Sequence, residues 1–188
     1  MSPRPIAIIA FTALVAACGA DTGAVELAWT FVDRDGDPIY PGGVFTIDAE
    51  RDSCELPGRF TESEVPFSLH VELEICDPGC EAGCDDESCL VVPRQKFPCT
   101  TARGNEPEVP STDTPYRFTV RAILSAPALD LECRDPAPDC LAIPASRERL
   151  VRAGLVTDLQ VQQIVVDLDR EGSGDEARLD LGELCGCA

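Results

Sequence analysis

Val65-Pro66-Phe67-Ser68-Leu69-His70-Val71-Glu72-Leu73-Glu74-Ile75-Cys76 alternates in character along its length. Val65, Phe67, Leu69, Val71, Leu73 and Ile75 fall on one face; Ser68, His70, Glu72 and Glu74 fall on the other. Successive side chains of an extended strand point to opposite faces, so this period of two predicts a strand with one side on a core and the other in water. The strand runs into Cys76-Asp77-Pro78-Gly79-Cys80-Glu81-Ala82-Gly83-Cys84-Asp85-Asp86-Glu87-Ser88-Cys89. That stretch has no period and too few apolar side chains to bury itself, so only its own cross-links can order it. Residues 76–99 therefore read as a cysteine-rich insertion in a β domain.

The same alternation recurs on either side. Val25, Leu27, Trp29 and Phe31 share a face within residues 25–32, and Tyr116, Phe118, Val120, Ala122 and Leu124 share one within 115–125. Residues 44–49, 90–92, 147–152 and 177–184 are shorter candidates, and 100–114, rich in Glu, Pro and Thr, resembles a linker. Residues 157–169 predict a long strand whose inward phase moves from Leu159 and Val161 to Ile164, Val166 and Leu168, placing a bulge at Gln162-Gln163. Asp-, Gly- and Pro-rich turns recur between these segments, and no helical period appears beyond residue 17. The expected fold is an all-β, antiparallel sandwich with long disulfide-stapled loops, over residues 25–188. Its core is expected to contain Trp29, Phe31, Phe67, Leu69, Val71, Tyr116, Phe118, Val120, Val161 and Val166.

Eleven cysteines are present. Setting Cys18 aside leaves Cys54, Cys76, Cys80, Cys84, Cys89, Cys99, Cys133, Cys140, Cys185 and Cys187. An even set of this density reads as a disulfide framework made in an oxidising compartment. Zinc knuckles favour C-x2-C pairs, and iron–sulfur sites have their own tight spacings; the C-x3-C-x3-C-x4-C run matches neither. Cys133 and Cys140 bracket a loop with two prolines and are the expected local pair; the other pairings stay open.

Leu14-Val15-Ala16-Ala17-Cys18-Gly19 closes a charge-free run that begins at Ile6, after Arg4. A charged start, a short apolar stretch and a small-residue end form a signal-peptide pattern, and twelve apolar residues are too few for a helix that must cross about 30 Å of hydrocarbon. The hexapeptide resembles the lipobox of bacterial lipoprotein signal peptides. That resemblance implies cleavage between Ala17 and Cys18, acylation of the Cys18 thiol, and residues 18–24 as a lipidated cysteine with a short tether. It also implies attachment to the bilayer, with Gly19 in the sorting position favouring the outer membrane. The mature chain resembles uncharacterised cysteine-rich bacterial lipoproteins, and residues 149–159 resemble the closing portion of immunoglobulin-like or transthyretin-like domains.

The net charge of −19 argues against a nucleic-acid partner and against a basic patch on anionic lipid. Asp33, Asp35 and Asp37 form the best calcium candidate, although Pro38 and Val44 stand where an EF-hand needs glycine and glutamate. A second acidic turn, Asp169 to Asp175, places Gly174 sixth but Glu176 at a usually apolar position. His70 is the lone histidine, and no nucleophile elbow, metalloprotease motif or phosphate-binding loop is present. The expected function is a non-catalytic binding or structural module of the envelope, meeting a protein or glycan. A calcium-dependent adhesion or carbohydrate-binding module comes second, a periplasmic enzyme or accessory subunit third.

Overall fold

The computed structural model describes residues 21–40, 55–60, 63–167, 179–182 and 185–187. The leader, Ala17, Cys18, the candidate strand 44–49, Cys54 and the acidic turn 169–175 lie outside the described residues. No helix among the described residues is long and apolar enough to cross a membrane.

The strands are β1 (Thr22–Val32), β2 (Pro38–Tyr40), β3 (Glu55–Phe60), β4 (Ser63–Cys76), β5 (Gln95–Pro98) and β6 (Arg103–Pro110). They continue as β7 (Tyr116–Ala126), β8 (Leu131–Cys133), β9 (Leu141–Ala142), β10 (Arg147–Arg149), β11 (Val156–Val166) and β12 (Leu179–Asp180). One sheet runs β2-β1-β11-β9, with β6 also on β1; the other runs β10-β7-β4-β3-β12, with β5 on β4 and β8 on β7. The two sheets form a sandwich, most of whose pairings are antiparallel. Two are parallel: β1 with β11, and β3 with β12.

The core follows the alternation. All six apolar residues of β4 from Val65 to Ile75 are buried, and they meet Trp29, Phe31, Phe118, Val120, Leu124, Ile164 and Val166. Nine of the ten expected core residues are buried, and Val161 is not: it is 60% exposed. The reason lies in the β1/β11 register. Glu26 faces Asp158 and Ala28 faces Val161, so Leu159 and Gln160 share the single position opposite Leu27. The bulge thus sits at Leu159-Gln160, ahead of the predicted Gln162-Gln163, and Gln160 adopts a left-handed φ of 64° to make it. Val161 is turned outward, and Gln162 is turned inward, where its Nε2 donates to the Leu159 carbonyl at 2.6 Å.

β6 corrects the linker reading of residues 100–114. Of its inward residues Gly104, Glu106 and Val109 only the last is a large apolar one, so no apolar alternation marks it. A Cβ on Gly104 would meet Phe97 at 2.7 Å and Leu27 at 2.8 Å, so glycine is what lets β6 close over this edge. β1 begins at Thr22, three residues before the alternation does, because Gly23 and Ala24 pair through their backbones. At the other end of the chain, Leu179 and Asp180 form the described strand within 177–184.

The cysteine insertion is a closed excursion from β4 that returns on the same strand as β5. Amides of Cys80, Gly83, Asp86 and Cys89 each donate to the carbonyl three residues back, giving a chain of consecutive turns. Cys76–Cys84 and Cys80–Cys89 interlock across them. The local ring expected between Cys133 and Cys140 is not formed. Cys133 pairs with Cys187 and Cys140 with Cys185. Cys133 belongs to the β7 sheet and Cys140 leads into β9 of the other, so Cys185-Gly186-Cys187 fastens the two sheets together. Cys99 is disulfide-bonded as well.

Candidate functional site

The outer face of β4 is the most chemically dense surface among the described residues. Glu72 and Glu74 point away from the core, yet each is only 3% exposed. They are covered by cations from four directions. β7 places Arg121 opposite Glu72, β5 places Lys96 opposite Glu72 on the other edge, and Arg94 and Arg134 come from the loops beside β5 and β8. Arg94 Nε donates to Glu74 at 2.9 Å, and its other arm reaches Glu87 at 2.8 Å. Arg134 lies 3.8 Å from Glu72 and donates to Glu132 at 2.9 Å, while Lys96 meets Glu132 at 2.7 Å and Arg121 meets Asp135 at 2.6 Å.

Protonation follows these contacts. The hydrogen bond to Glu74 holds the Arg94 guanidinium above its ordinary range, and that to Glu132 does the same for Arg134. Lys96 and then Arg134 lower the Glu132 carboxyl. His70, on the same face, is lowered by burial first and by Lys96 second, and its Nδ1 is buried without a hydrogen-bond partner. A cleft of about 510 Å³ opens beside this network, lined by Glu72, Leu90, Val91, Arg94, Lys96 and Arg134. Its cations already face carboxylates, so the cleft is charge-compensated: it can hydrogen-bond a polar group but does not present a free cationic hole.

The calcium candidate is drawn together in a different sense. Asp33 directly follows β1 and is 6% exposed; its Oδ1 accepts from the Asp35 amide at 3.0 Å and the Asp37 amide at 2.9 Å. One carboxylate therefore ties the turn through backbone groups, in the manner of an Asx turn. Asp35 and Asp37 are exposed, and the described residues contain no group of three His, Cys, Asp or Glu side chains arranged for a metal ion.

A second opening, of about 450 Å³, lies over the β11 bulge and is lined by Glu26, Ala28, Arg103, Asn105, Asp158 and Val161. Sequence reasoning missed both openings. The one available signal for the second was the phase change in residues 157–169, which marks a bulge without fixing which side chain it turns outward.

The chain matches no protein-family model. Neither the curated proteins nor the solved structures give a significant match.

Proposed function

We propose that this chain is an exported bacterial lipoprotein, held to the outer membrane through acylated Cys18, whose sandwich serves as a non-catalytic binding or structural module of the envelope. What carries the reading is the disulfide framework. Nine cysteines of the ten beyond Cys18 are disulfide-bonded, which a reducing cytosol would not sustain. Export is what the leader and Ala16-Ala17-Cys18 also require, and the two signals are independent. The non-catalytic part is supported by the compensated β4 face, whose acids are engaged with arginine and lysine. The Val161 opening, an exposed apolar side chain within a polar rim, is the better place for a protein or glycan to rest.

Expression of the full chain with a clickable fatty acid in a Gram-negative host tests this. Label and protein should appear together in the outer-membrane fraction, and Cys18→Ser should lose the label and move to the soluble periplasm. A Cys18→Ser chain that stays in the membrane, or an unlabelled native chain, contradicts the reading.

A further inference from the structure

The loop between β10 and β11 lies beside the start of β1, and the two are bonded together. The Ala24 amide donates to the Leu155 carbonyl at 3.0 Å, and the Gly154 amide to the Thr22 carbonyl at 2.9 Å. The approach is close enough to require glycine: a Cβ at Gly23 would meet the Arg152 carbonyl oxygen at 2.5 Å and the Leu155 carbonyl oxygen at 2.9 Å. Val151 is fully buried beneath, while Leu150, Leu155 and Val156 are 38%, 56% and 57% exposed. Three of the six exposed large apolar side chains of the described residues thus fall within seven positions. Arg149 and Arg152 flank them, both exposed, in a chain with only fifteen basic residues against thirty-four acidic ones.

Cys18 stands four residues before Thr22. Four extended residues reach about 14 Å, so an acyl chain on Cys18 must enter the bilayer within that distance of this loop. We infer that the Leu150–Val156 loop is a membrane-contact surface, whose apolar side chains rest in the headgroup and upper acyl region of a phospholipid bilayer beside the anchor. The inference rests on the lipidated reading of Cys18. Side chains of this kind settle about 5–10 Å into the interface, with arginines at phosphate level. Asp21 and Asp113 share this end of the sandwich and are exposed, so the contact depends on the apolar side chains and the two arginines rather than on net charge. Its consequence is orientation: the sandwich stands on this end, with Leu129, beyond the last residue of β7, directed away from the membrane.

The test uses the full lipidated chain in phosphatidylethanolamine–phosphatidylglycerol vesicles with brominated acyl chains. The chain has one tryptophan, Trp29, 2% exposed in the core, so background quenching is low. Emission from Leu155→Trp should fall by roughly half or more, as expected for a side chain at interfacial depth, while Leu129→Trp should match the unsubstituted chain. Val156→Trp provides a second position, so misfolding of one variant leaves the other to decide. Flotation of the same samples reports the anchor itself. A chain that floats while neither Leu155→Trp nor Val156→Trp is quenched beyond Leu129→Trp overturns the loop contact alone; a chain that does not float overturns the anchor beneath it.

Discussion

Glu74 shows what the β4 face demands of its neighbours. A carboxylate taken out of water costs several kcal/mol unless a partner and hydrogen bonds replace the solvent, and Arg94 at 2.9 Å supplies both. Arg94→Ala leaves Glu74 with Arg121 alone, at 3.8 Å, and should destabilise the fold by about 3 kcal/mol in chemical denaturation. His70 gives the pH dependence. Its folded pKa lies below the 6.5 of the unfolded chain, so the unfolded state binds the proton first. The native state therefore keeps its full margin above pH 6.5 and loses it as pH falls below that value; His70→Gln should flatten the slope in melting curves there. At Asp33, Asp33→Ala removes the acceptor for two turn amides and should cost about 1–2 kcal/mol, with calcium leaving the wild-type melting temperature unmoved; a calcium-induced rise abolished by that substitution would instead make the turn a metal site. Burial of Trp29, Phe67 or Val120 was legible in sequence because the period of two names the inward side. Burial of Glu72 and Glu74 was not, because the side chains that cover them arrive from as far as Arg134 in a different strand connection.

At the scale of elements, each misread segment lacked the side chains that make a pattern. β6 was invisible because Gly104 and Glu106 occupy two of its three inward positions, leaving Val109 alone as an apolar one, and its pairing with β1 is made by the backbone. The β11 bulge was legible as a phase change, but its position depends on the parallel partner β1, which sequence alone does not supply. Gln160 stands at φ 64°, a conformation costing a non-glycine residue about 1 kcal/mol, so Gln160→Gly should be neutral or slightly stabilising. The cysteine insertion is local in every respect: its bridges span eight and nine residues, and its turns bond within themselves. Replacing Cys76, Cys80, Cys84 and Cys89 by serine should raise amide exchange across residues 77–90 while the protection of β4 and β7 survives. Loss of protection in those strands as well would show the insertion to be part of the fold's cooperative unit.

For the whole molecule, the decisive cross-links are the distant ones. Cys133–Cys187 and Cys140–Cys185 span 54 and 45 residues, and together they tie one sheet to the other at the end of the chain. A loop of that length contributes about 4 kcal/mol in the chain-entropy model, and Cys185→Ser with Cys187→Ser removes two such bridges, so the melting temperature should fall by roughly 20 °C. Proximity in sequence misled the Cys133–Cys140 pairing because Cys133 lies on β8 of one sheet and Cys140 leads into β9 of the other, a fact of tertiary topology. One pairing is left to predict. Cys99 is disulfide-bonded, and its neighbour Pro98 stands opposite His70, on the edge of β4 where Glu55 stands opposite Ser68. Peptide mapping without reduction should recover Cys99 joined to Cys54, the one remaining cysteine beyond Cys18.

Export, anchoring and oxidation meet in a single measurement: the intact mass of the protein purified from native cells, before and after reduction. The account predicts a chain that begins at an acylated Cys18, lacks residues 1–17, and gains two hydrogens for each of five bridges on reduction. A mass that retains the leader, carries no lipid, or is unchanged by reduction would contradict it.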